Sequence, residues 1–182
     1  MGAPTRHRIV SCVTAAIAAF CQPARCDSIT VTQSVSAELA PAAKLSVPAS
    51  VPLTASGAAF QPFSGTLTLS FRVRSSSAGG GAITLQTTSD FSPSGGPSAA
   101  GGALTYLCSN GTLGTPCTGR QTAGTGAQSS VLTIPPAACT GGGGACSASN
   151  PNSIQVYFSL ENDSGTATGN YAAQITFVIS AI

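Results

Sequence analysis

Residues 66–74, Thr-Leu-Thr-Leu-Ser-Phe-Arg-Val-Arg, decide the fold class. Leu67, Leu69, Phe71 and Val73 alternate with Thr66, Thr68, Ser70, Arg72 and Arg74. Period two is the pattern of a strand buried on one face and wetted on the other, whereas a helix needs apolar residues every three or four. The pattern returns in Ile154, Val156, Phe158 and Leu160, set against Gln155, Ser159 and Glu161, with Tyr157 on the outer set. It returns again at the C-terminus in Tyr171, Ala173, Ile175, Phe177, Ile179 and Ala181.

Working outward from these three segments, weaker strands are expected at Ile29 to Leu39, Leu45 to Leu53, Ile83 to Thr88, Leu104 to Cys108 and Val131 to Ile134. Pro48 and Pro52 interrupt the second of them. Proline donates no ladder hydrogen bond, so that segment belongs at a sheet edge or switches sheets there. The connections SSSAGGG, SPSGGPSAAGG, TGGGG and NDSGTATGN are rich in turn-forming residues. Seven or eight short strands separated by such turns imply an all-β fold, an antiparallel two-sheet sandwich of immunoglobulin-like architecture. A closed barrel is the alternative.

The N-terminus has a different character. Arg6, His7 and Arg8 precede an apolar run from Ile9 to Phe20, followed by the polar stretch Cys21 to Cys26. That order is the order of a secretory signal peptide. A spanning helix needs about 20 apolar residues, more than this run supplies, so no stable membrane span is expected. Ala24 and Cys26 are small enough to precede a cut before Asp27; a cut after Ala24 is the alternative. Phe20 is too bulky for the position before a lipidated Cys21. The expected division is therefore 1–26, a removed signal peptide, and 27–182, a single sandwich domain, secreted, periplasmic or on the cell surface.

Removing the leader changes what chemistry is available. The stated net charge is +2, but residues 27–182 carry only Lys44, Arg72, Arg74 and Arg120 against Asp27, Glu38, Asp90, Glu161 and Asp163. Such a chain has no basic stripe to neutralise phosphates, so a nucleic-acid partner is not expected. His7, the only histidine, leaves with the leader, and with it the usual Ser-His or Cys-His nucleophile systems. Lys44, beside prolines, reads as a surface lysine guarding an edge. Glu161 and Asp163 are the only close carboxylate pair, in a turn whose composition explains them without catalysis or calcium. The glycine runs open no helix and have no lysine behind them, so they do not resemble phosphate loops. Asn110-Gly111-Thr112 and Asn162-Asp163-Ser164 match the glycosylation pattern. No catalytic residue, metal site or cofactor is expected.

Four cysteines remain: Cys108, Cys117, Cys139 and Cys146. In an oxidising compartment an even number implies disulfides. The spacings favour Cys108 with Cys117 and Cys139 with Cys146, although three connectivities are open. A four-thiolate zinc site is disfavoured by spacing and compartment.

The closing strand GNYAAQITFVISAI, the mature start DSITVTQSVSAEL and the weakly charged β-rich body resemble secreted bacterial fimbrial and surface subunits. The nearest groups are spore coat protein U and the chaperone-usher pilin-like sandwiches. This chain departs from them in placing all four mature cysteines in its second half. The resemblance implies a non-enzymatic exported structural or surface subunit of a pilus or coat, with copies of itself or other surface subunits as partners. It also implies strand donation, in which residues 27–39 complete the next subunit's sheet through Ile29, Val31, Val35, Ala37 and Leu39. The same residues also read as the domain's own first strand, since the other strands leave no obvious gap. From a different class, an extracellular binding module would recognise glycan or protein through its long loops. With no tryptophan, its platform would rest on Tyr106, Tyr157 or Phe91. An enzyme would need a concave pocket holding two of the five carboxylates.

Overall fold

The computed structural model describes residues 33–38, 40–55, 57–74, 79–136 and 151–181. The expected signal peptide (1–26), Ile29, Val31, Leu39, Cys139 and Cys146 lie outside the described residues. The chain divides into Met1–Ala37 and a second unit, Glu38–Ile182. Of the first, residues 33–37 are described; they form no strand, and Val35 and Ala37 are exposed.

Among the described residues the second unit contains ten strands and no α-helix. They are β1 (Ala42–Ser46), β2 (Thr54–Ala55), β3 (Phe63–Arg74), β4 (Gly81–Ser92), β5 (Leu104–Ser109), β6 (Thr115–Pro116), β7 (Gln121–Thr122), β8 (Ser129–Ile134), β9 (Asn152–Leu160) and β10 (Ala172–Ala181). Seven of these exceed two residues, and β2, β6 and β7 are the short additions to the seven or eight expected. All pair antiparallel in two sheets. The larger runs β1-β3-β9-β5-β7, with β2 also on β3, and the smaller runs β10-β4-β8-β6. The result is a sandwich-like arrangement of two separate sheets, not a closed barrel.

The alternating segments lie side by side. Leu67 pairs with Val156 and Leu69 with Ile154 across β3 and β9. Their inner rows bury Leu67, Leu69, Phe71, Val73, Ile154, Val156, Phe158 and Leu160, joined by Leu104 and Tyr106 of β5. From the smaller sheet Ile83 and Leu85 of β4 and Val131, Leu132 and Ile134 of β8 complete the core. The consecutive burial of Val131 and Leu132 breaks the alternation. A register shift between Ile83 and Thr84 in the β4–β8 pairing accounts for it, because a bulge re-aims the next side chain.

The strand expected from Leu45 to Leu53 forms only at its start, while the expected edge position holds. β1 ends at Ser46, two residues before Pro48, and forms the edge of the larger sheet. Residues 47–53 then leave the ladder, and Val51, Pro52 and Leu53 pack onto Gly65 of β3. A Cβ on Gly65 would stand 2.6 Å from the Pro52 carbonyl oxygen, so only glycine lets the strap lie this close.

Candidate functional site

The two lateral sides of the sandwich differ. On the side of β5, β6 and β7 the sheets are tied together. Cys108 of β5 is bonded to Cys117, whose N–H donates to the Val131 carbonyl of β8 at 2.9 Å. A disulfide that is local in sequence thus joins strands of opposite sheets. Beside it the Ser129 hydroxyl donates to the Thr122 carbonyl, and the buried Thr87 hydroxyl to the Ala123 carbonyl at 2.7 Å. The Thr87 N–H donates to the Gly124 carbonyl. Residues 122–124 therefore close this side with polar groups satisfied from both sheets.

On the opposite side β1 and β10 approach each other without pairing. β10 is the edge of the smaller sheet and β1 that of the larger. Ile175, Phe177, Ile179 and Ala181 of β10 face inward as the alternation predicts, yet each stays only half-buried, whereas the inner row of β9 is buried throughout. Beside residues 172–177 of β10, where the 47–53 strap follows the end of β1, lies a groove of about 770 Å³. Its floor is core: Leu67, Leu104, Phe158 and Leu160; its walls include Leu53 from the strap and Phe177 from β10. Phe60, at φ 61° and 63% exposed, stands at its rim.

One end of the groove is framed by two interlocked loops. The Asp90 carboxylate accepts from the N–H groups of Phe91 (2.8 Å), Ala99 (2.7 Å) and Ala100 (3.4 Å) and from the Ser98 hydroxyl (2.8 Å). Desolvation pushes its pKa up, but these hydrogen bonds outweigh that and hold it below the ordinary value. The loop after Asp90 in turn accepts the Ala167 N–H at Gly95, and Gly96 lies against the Tyr171 ring. The Tyr171 hydroxyl donates to the Ala167 carbonyl at 2.8 Å.

No family model and no curated protein matches this chain.

The sequence-selected residues are distributed as follows. Glu161 and Asp163 both stand at the groove mouth, exposed; Asp163 Oδ1 accepts from the Gly165 N–H in a turn. No lysine, arginine or histidine joins them in the lining. Lys44 is on the edge strand β1 opposite Arg72. Both asparagines of the glycosylation patterns use their side-chain amides internally, Asn110 toward Gln155 and Asn162 toward the Gln61 carbonyl. Of the three rings proposed as a platform, Tyr106 is fully buried, its hydroxyl donating to the Ser130 carbonyl at 2.8 Å and its ring 6.2 Å from that of Phe158. Burial also raises its pKa. Phe91 is half-buried in the groove wall. Tyr157 alone is exposed, opposite Leu107 on the outer face of the larger sheet. Among the described residues no group of three His, Cys, Asp or Glu could hold a metal, and no helix is long and apolar enough to cross a membrane.

The groove was not foreseen. Its walls come from residues 47–53, 91 and 171–177, and only strand order reveals that among the described residues no strand of the smaller sheet lies beyond β10.

Proposed function

We propose that this chain is a non-enzymatic, exported structural subunit whose β10 edge is completed by a strand from another copy. The observation that carries the proposal is β10: among the described residues no strand pairs with its outer edge, and its half-buried Ile175 and Phe177 lie beside a groove floored by core residues. A fully buried aliphatic or aromatic side chain contributes about 1.5–3 kcal/mol, so Ile175, Phe177 and Ile179 leave part of that unrealised. A strand added to β10 would satisfy its outward N–H and C=O groups and cover that row at once.

Strand order supports the same view. In an immunoglobulin-like sandwich the orders are A-B-E-D and G-F-C. Assigning β1, β3, β9 and β5 to A, B, E and D leaves β10 and β4 as F and C. The position beside F, where G would lie, is the free edge of β10. β8 departs from this scheme, since it lies beside C but follows D in the chain. The occupant we assign is residues 27–39 of a second copy, with Ile29, Val31, Val35, Ala37 and Leu39 as inserting side chains. Val35 and Ala37 are exposed and strandless in the single chain. A coat or a pilus would both use such a joint.

Sedimentation of the exported chain and of a form lacking residues 27–39 tests this. Strand donation predicts concentration-dependent oligomers that vanish on deletion and return as a 1:1 complex when a peptide of residues 27–39 is added. A chain that is monomeric at all concentrations, and that loses stability without changing its association state on deletion, would show that the segment is the domain's own strand.

A second use of the molecule, as a module binding glycan or protein, rests on Tyr157 and Leu107, half-exposed side by side. Glycan-array binding that is lost in Tyr157→Ala would support it.

A further inference from the structure

The few charges are sorted along the long axis of the sandwich. On β3, Arg72 and Arg74 share the outer face, and Lys44 of β1 stands directly opposite Arg72. Like charges facing each other across a ladder are destabilising, and here nothing compensates: Arg72 Nε is buried without a hydrogen-bond partner, and Arg74 Nε donates to the Ala40 carbonyl at 2.9 Å. At the other end of the same ladder Phe63 pairs with Leu160, and Glu161 and Asp163 follow directly. Asp90 lies at this end too, since β10 begins opposite Ser92 and the Ala167 N–H bonds to Gly95. Outside the described residues, segments 75–78 and 137–150 carry no charged residue, and Asp27 is the one charge in residues 27–32. Glu38 sits two residues before Ala40 near the basic end, and Arg120, bonded to Thr105 on the β7 flank, stands outside the polarity.

From Phe63 to Arg72 the strand rises about 30 Å at roughly 3.3 Å per residue. That is several times the Debye length of about 8–10 Å at moderate salt, so the two ends do not neutralise each other within one copy. They would do so between copies. We propose that copies of this chain meet end to end, the Lys44, Arg72 and Arg74 end of one against the Glu161, Asp163 and Asp90 end of the next. This rests on the self-assembly proposed above and adds direction to it: strand donation supplies the joint, and the charges set its polarity and speed its formation.

The test uses two charge-reversed full chains, K44E/R74E, acidic at both ends, and E161K/D163K, basic at both ends. Each alone is expected to associate at least tenfold more weakly than the unaltered chain in 20 mM salt. An equimolar mixture is expected to recover that association as alternating hetero-oligomers. The unaltered chain, which carries no risk of misfolding, is expected to lose association tenfold or more between 20 and 500 mM salt. Oligomers indifferent to salt and to both reversals, yet abolished by deleting residues 27–39, would overturn the end-to-end contact and leave strand donation standing. Charge-dependent oligomers that survive the deletion would do the reverse.

Discussion

Replacing Cys108 and Cys117 together by alanine removes the link between β5 and the β6–β8 side without introducing a polar group among the apolar side chains around them. The bridge closes a loop of ten residues, nine apart in sequence. In the chain-entropy description such a closure removes about 9 cal/mol/K from the unfolded chain, or about 2.7 kcal/mol at 25 °C. With a urea dependence of about 2 kcal/mol per molar, the unfolding midpoint should fall by roughly 1.3 M with an unchanged slope. Reduced unaltered chain should show at least this fall, since it loses the same constraint and the expected Cys139–Cys146 link as well. Because the bond lies on the closed side, binding of the 27–39 peptide at the opposite side should change less than twofold in folded protein. A midpoint that moves by less than about 0.3 M in both the variant and the reduced chain would refute the constraint, and with it the view that this side is held mainly by the disulfide.

Asp90→Asn should lower the melting temperature at neutral pH and flatten its dependence on acid. The folded pKa of Asp90 lies below the ordinary 3.8, so its stabilisation is present above that value and lost as pH falls through the folded one; a melting profile from pH 7 to 2 reads this. An equally steep acid limb in the variant would exclude Asp90 as its source. Gly65→Ala should cost about 1–3 kcal/mol by overpacking and free the 51–53 strap, seen as new chymotryptic cleavage after Leu53. An unchanged midpoint and digest would mean that the strap yields without cost.

What could be read from the sequence was whatever a one-sided strand imprints on side-chain order. Leu67 to Val73 and Ile154 to Leu160 lie where alternation puts them, because one face meets the core and the other meets water. β2, β6 and β7 have two residues each, too short to carry a period. β4 extends past Thr88 through Ser89 and Asp90, where no apolar side chain marks the inner face, so its length was underestimated. Tyr106, named above as one possible binding ring, shares parity with Leu104, and that parity is the signal for its burial. The groove is different in kind. The apolar pattern of β10 is as regular as that of β9, but among the described residues no strand pairs with its outer edge, and its inner row stays half in water.

The order of pairing also bears on when this chain can fold. β3 needs β9, as Phe63 pairs with Leu160, and β4 needs β10, as Gly81 pairs with Ala181. Each sheet therefore waits for segments made near the end of synthesis, and long-range strand pairing is slow in any case. Local pairings of β1 and β2 with β3 can form early, but the β3–β9 and β4–β10 ladders that line the core can form only after the last two strands have been made. The core of this chain thus closes late, a delay that resides in strand order rather than in any single residue.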